Sequence, residues 1–226
     1  MIKIDKSLET KLISLPESGM GFQIVNATFS DRIVRESIVL NANILEPINN
    51  RPINEVFNAM FSANVDQLEK SIIRSNTVID VSLKSDKGNF QKGMMNFKMF
   101  SEAISNATGA DKQTEAYTSE NEKFVRFSHF ENDNRIDHIN MRCLPGTYAT
   151  TLEDANYCLQ NKIDPRVRYA LPNSLEIKFA FHIHPFRLTP IKRGIVEPAN
   201  NQPGGGKEVI FTKGTGNKTV VKIDKI

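Results

Sequence analysis

The spacing of hydrophobic positions changes along the chain. Residues 22–29 and 33–40 are rich in Val, Ile and Phe and poor in helix formers, which predicts two strands. Pro16-Glu-Ser-Gly19 and Ser30-Asp31 supply turns around them, so a hairpin or meander is expected. After Pro47 and Pro52 the period lengthens: Ile53, Val56, Phe57, Met60, Phe61, Val65, Leu68 and Ile72 recur at three- and four-residue steps. That spacing predicts an amphipathic helix over 53–72, with Pro52 at its entry and Glu55 in its first turn. A strand is predicted at 78–83 with a turn at 85–88, then a short helix in the Met- and Phe-rich stretch 94–104.

Residues 105–122 are polar with few apolar anchors, too few to offset the entropy of ordering the backbone, so a linker or exposed loop is expected there. Beyond it the pattern predicts strands at 124–128, 146–151, 177–183, 195–196 and 208–211, with a helix from Glu153 towards Leu159. Strands and helices without regular alternation argue an α+β fold. The organisation expected is an N-terminal hairpin and helix module (1–110), a polar linker (111–122) and a C-terminal domain (123–226).

Composition narrows this picture only slightly. The chain has 226 residues, 39% hydrophobic and 24% charged, which excludes collagen, extended disorder and a pure coiled coil and leaves room for two units. A net charge of +3 is too small to demand nucleic acid or an anionic membrane as partner. Cys143 and Cys158 form no disulfide framework and read as thiols in a reducing compartment. No run approaches the roughly 18 apolar residues of a membrane span, and residues 1–11 alternate charge with Ile instead of building a signal-peptide core. A soluble cytoplasmic protein, or one exported without a signal peptide, is expected, with no membrane partner.

Candidate chemistry gathers in the second half. Arg126 sits on a predicted strand (Val125-Arg-Phe-Ser128), followed by Gly146-Thr-Tyr-Ala-Thr-Thr151, then Arg168-Tyr-Ala-Leu-Pro172, then Pro203-Gly-Gly-Gly-Lys-Glu208 leading into a late strand. On a strand, Tyr148 and Thr150 share a face and Thr151 points away. Thr151 with Asp154 three residues later has the spacing of a helix N-cap. Gly204 to Gly206 permit close backbone approach or positive φ before Glu208.

These four pieces, in this order, resemble the ADP-ribosyltransferase fold, in particular the toxin and NAD-glycohydrolase domains of bacterial polymorphic toxin systems. The resemblance covers about the last hundred residues, from Phe124 on. It implies a split β-sheet domain that binds NAD as substrate, and an NAD-consuming effector that transfers ADP-ribose to a protein or nucleic-acid acceptor or to water. It also implies a dedicated immunity or regulatory protein. Carried onto this sequence, Glu208 is the catalytic carboxylate that stabilises the ribosyl cation, Tyr148 and Thr150 line the nicotinamide pocket with Thr151 beside them, and Arg126 anchors the dinucleotide, with Arg142 its rival. Arginine-modifying members carry Glu or Gln two residues before the catalytic Glu. Here that position is Gly206, which argues against transfer to arginine.

Two other readings compete. One is a non-enzymatic interaction protein that keeps the fold without turnover. The other is a metal-dependent nuclease built on His129, His138, Glu131, Asp133 and Asp137. His182-x-His184 places two imidazoles on one strand face, but no third ligand is spaced to close a metal site, so none is expected.

Overall fold

Our computed structural model describes residues 1–18, 21–62, 78–84, 108–172 and 174–226. The N-terminal half is a five-stranded antiparallel sheet ordered β1-β4-β3-β2-β5. Its strands are β1 (Ile2–Lys3), β2 (Phe22–Phe29), β3 (Val34–Leu40), β4 (Ile44–Pro47) and β5 (Val78–Leu83). The two-residue period of β2 fixes which side meets which helix. Val25, Ala27 and Phe29 pack on α1 (Lys6–Ser14) through Leu8 and Leu12, whereas Phe22 and Ile24 meet Val56, Phe57 and Met60 of α2 (Ile53–Ser62). Helix α1 stands where the sequence suggested no helix. Asp5 caps it by accepting from the Ser7 and Leu8 amides, and its i, i+4 pair Leu8 and Leu12 is buried. The predicted helix at 53–72 is described to Ser62; the rest of it, the 85–88 turn and the 94–104 helix lie outside the described residues.

The second half is a seven-stranded antiparallel sheet ordered β14-β11-β7-β10-β13-β12-β6. Its members are β6 (Ala116–Tyr117), β7 (Phe124–Ser128), β10 (Thr147–Thr151), β11 (Phe179–Ile183), β12 (Pro190–Ile195), β13 (Lys207–Phe211) and β14 (Val220–Lys225); a separate hairpin joins β8 (Ile136–Asp137) to β9 (Arg142–Cys143). The α+β class is thus present as expected. The polar stretch expected as a linker is folded onto this sheet from Thr108 on. The Thr108 carbonyl accepts from the Ile195 amide, a 3-10 turn at Ala110–Lys112 buries Ala110, and Ala116 pairs with Ile191. Backbone pairing to β12 orders a segment that has too few apolar side chains to order itself.

Strand β10 is shared between two ladders. Its residues Thr147, Tyr148 and Ala149 pair with Phe211, Ile210 and Val209 of β13, and then Thr150 and Thr151 pair with Val125 and Phe124 of β7. One face of the sheet (Val125, Phe127, Tyr148, Ala180, Ile210) packs under α3 (Leu152–Gln160) and the segment that follows α4 (Pro165–Arg168). The other face (Phe124, Ala149, Phe181, Val209, Phe211) packs against the β8–β9 hairpin through Ile136 and Cys143. No helix among the described residues is long and apolar enough to cross a membrane.

Candidate active site

Tyr148, Thr150 and Glu208 converge on one face of the sheet. Tyr148 stands opposite Ile210, so alternation along β13 brings Glu208 to that same face, two residues nearer the point where β10 leaves β13 for β7. Tyr148 is buried and Glu208 half-buried. Burial, reinforced by the carboxylates of Glu208 and Asp111, pushes the Tyr148 phenol well above its ordinary pKa. Asp111 arrives on the 3-10 turn that crosses Gly194, the residue paired with Glu208 on β12; a Cβ on Gly194 would lie 2.4 Å from the Ala110 nitrogen.

Asp154 ties this face together. Thr151 caps α3 by accepting from the Asp154 amide, the role its spacing predicts, which sets Asp154 in the first turn with its carboxylate buried. That carboxylate accepts from Arg168 Nε (3.0 Å) and Nη2 (2.5 Å), from the Tyr169 hydroxyl (3.1 Å) and from the Lys207 amide (3.1 Å), with Thr150 Oγ1 at 3.5 Å. One carboxylate therefore joins three of the sequence pieces: Thr150-Thr151, Arg168-Tyr169 and the residue before Glu208. In sequence Asp154 shows only its capping partnership; nothing local reveals that Arg168, Tyr169 and Lys207 donate to its carboxylate.

The glycine-rich approach to Glu208 runs along the Arg168-Tyr169 segment. Gly204 donates to the Val167 carbonyl and Gly206 to that of Arg168, while Asn200 Nδ2 donates to the Ala170 carbonyl. Gly204 has φ +68°, in the region that favours glycine.

The two candidate NAD-anchoring arginines lie on the opposite side of the sheet. Arg126 shares its face with Phe124 and pairs in register with Phe181. It is fully buried, and all five of its N–H donors are engaged. Nε (2.9 Å) and Nη2 (3.3 Å) reach Asp133, Nη1 (2.8 Å) and Nη2 (2.9 Å) reach Glu17, and Nη1 also reaches the Tyr148 carbonyl (3.0 Å). In this conformation Arg126 has no donor to offer a dinucleotide. Arg142 lies on β9, partly exposed, with Nε 3.0 Å from Asp137. Asp137 is held down at about 2 by the side-chain and backbone N–H groups of Asn140, with Arg142 adding to them. The cations that stand on the Tyr148 side of the sheet include Arg168, over the Tyr157 ring at 4.8 Å, and Lys192, which pairs in register with Ile210 and donates to the Asp111 carbonyl.

In the His129–Asp137 stretch Asp133 holds Arg126, Asp137 holds Arg142 and Asn140, and the His129 ring packs edge-on against Phe61 and Phe130. His182 pairs with Asp224 across β11 and β14. Cys143 and Cys158 are both buried, and burial raises their thiols to about 12 and about 11. No protein family, curated protein or solved structure matches the chain.

Proposed function

We propose that the chain is an NAD-consuming enzyme of the ADP-ribosyltransferase-like kind its motifs resemble, breaking the nicotinamide–ribose bond at the Tyr148–Glu208 face. The observation that carries this reading is the convergence of Tyr148, Thr150 and Glu208 where β10 changes partners, braced by Asp154. A carboxylate beside a ribosyl cation at about 4 Å, at an effective dielectric near 20, contributes roughly 4 kcal/mol, on the order of a thousandfold in rate if the contact belongs to the transition state alone. Glu208 takes that role. In this reading the Tyr148 ring, packed in the core beside Tyr169 and Ala155, forms the inner apolar wall of the nicotinamide subsite, and its phenol stays protonated. The ADP-ribosyl group then passes to water or to a macromolecular acceptor other than arginine, since Gly206 has no side chain to orient a guanidinium. A specific inhibitory partner and action in an NAD-containing compartment such as the cytoplasm belong to the same reading.

Nicotinamide release by the purified chain, wild type against Glu208→Gln, tests it. Release that falls at least a hundredfold in the variant is the expected result. Equal release, or none with water and with protein and nucleic-acid acceptors supplied, overturns it.

A second reading, a binding protein that retains the fold without turnover, is favoured by one observation: the complete engagement of Arg126 by Glu17 and Asp133.

A further inference from the structure

The gap that Arg126 fills is made by the parting of two strands. Pairing between β7 and β10 ends at Thr150 and Val125, so towards the start of β10 the backbone of Tyr148 faces a side-chain cluster where a neighbouring strand would otherwise run. Its carbonyl accepts from Arg126, and its amide points at Glu17 Oε2, 3.4 Å away. Glu17 is no neighbour of this sheet in sequence. It comes from the loop between α1 and β2, 109 residues before Arg126.

Counting charges shows what Glu17 supplies. The second half contributes Arg126 and Arg135 to this cluster against the single carboxylate of Asp133, all three at most 4% exposed. Without Glu17 the cluster has one positive charge in excess, in a gap lined by a guanidinium fork and a backbone N–H, which is the donor set that recognises carboxylate or phosphate. Glu17 brings the missing anion and binds as a ligand would: Oε2 and Oε1 take the two Nη atoms of Arg126 side by side, and Arg135 Nε lies 3.6 Å away. The loop itself is gripped at its base. Arg135 donates to the Ile13 (2.8 Å) and Leu15 (2.6 Å) carbonyls at the end of α1, and Pro16 lies so close to Gly146 that a Cβ there would stand 2.8 Å from the Pro16 Cα.

We propose that the loop carrying Glu17 is a built-in plug: its carboxylate occupies an anion site, between β7 and β10, that takes the phosphates of the dinucleotide once the loop withdraws. This rests on the NAD-consuming reading for the identity of the ligand, and it assigns the N-terminal half a regulatory role. It also reconciles the engaged Arg126 with its expected role, since the gap is bordered by Arg126 from one face of the sheet and by the backbone of Tyr148, whose ring lies on the other. A ligand competing with the plug binds with an apparent affinity reduced by the fraction of molecules that are open. Weakening the plug therefore tightens ligand binding.

The test compares the full chain with Glu17→Gln and Glu17→Asp by calorimetry, using NAD and inorganic pyrophosphate as separate probes, with nicotinamide release measured alongside. Glu17→Gln keeps the shape and removes the charge; Glu17→Asp keeps the counter-charge and draws it back by one methylene, so it carries the measurement if the first variant fails to fold by circular dichroism. At least tenfold tighter binding of both probes than in wild type, abolished by adding Arg126→Gln, supports the plug. Unchanged affinity in the folded variants overturns it and leaves Glu17 a structural ion-pair partner, whether or not the wild type releases nicotinamide. Tightened binding without nicotinamide release keeps the plug and removes the catalytic reading, so the two fail separately.

Discussion

Gly206 lies against the ring of Tyr169: a Cβ there would stand 2.6 Å from Cε1 and 2.9 Å from the Arg168 carbonyl oxygen. The position two residues before Glu208 is therefore closed to any side chain by packing. Gly206→Ala is expected to destabilise the fold by about 1–3 kcal/mol, because the ring it strikes is itself buried and has nowhere to turn. A urea midpoint unchanged from wild type contradicts this.

Replacing Arg126 with Met leaves two buried carboxylates, Glu17 and Asp133, against Arg135 alone. The expected loss is about 3–5 kcal/mol. Converting Asp133 to Asn in the same chain leaves Glu17 balanced by Arg135 and is expected to restore part of that loss; a double variant no more stable than Arg126→Met refutes the electrostatic account.

The acid limb of stability follows from two carboxylates. Burial pushes Asp133 up, but the Arg126 charge and hydrogen bonds and the Arg135 amide outweigh it, so its folded pKa lies below the ordinary value of 3.8; Asp137 lies at about 2. Depressed folded values mean that the contribution is complete above the unfolded pKa and is lost as pH falls through the folded one. Unfolding free energy is thus expected to be flat with respect to these two groups above about pH 5 and to fall below about pH 4. In Asp137→Asn the low-pH decline becomes shallower. Chemical denaturation at a series of pH values reads both effects.

Thr151→Ala removes the acceptor for the Asp154 amide at the head of α3 and is expected to cost about 1 kcal/mol, with Thr151→Ser retaining most of the stability. Because Asp154 also braces the residue before Glu208, nicotinamide release is expected to fall in the Ala variant too. Thermal midpoints and release rates measured together check this.

Neither thiol is expected to react in the native state. With burial holding Cys143 at about 12 and Cys158 at about 11, the thiolate fraction near pH 8 is minute, and a chromogenic disulfide reagent finds no accessible nucleophile. Both thiols titrate after denaturation; rapid native uptake of even one equivalent contradicts the buried placement.

Local pattern reveals those features whose partners are near in sequence. The hairpin of β2 and β3, the start of α2, the strand at 147–151 with its shared face for Tyr148 and Thr150, and the Thr151 cap are all legible, because each rests on a period or a spacing of a few residues. Helix α1 is hidden because only Leu8 and Leu12 are buried among its charged neighbours. Most of β12 is hidden because Lys192, Arg193 and Gly194 read as polar, though Lys192 donates to the Asp111 carbonyl, Arg193 pairs with Glu122, and Gly194 lies under the 3-10 turn. Arg126 stands out as a strand arginine, but nothing around Pro16-Glu-Ser suggests that the turn acid belongs to it. Side-chain pairing across 109 residues leaves no periodic trace.

That same separation sets an order of assembly on the ribosome. Glu17 emerges long before Arg126, Asp133 and Arg135, so the N-terminal sheet is complete in sequence while its first long loop still lacks the groups that bury it. Contacts spanning so much chain carry the largest closure entropy and form late. The carboxylate made earliest is thus expected to be among the last groups to find its partners.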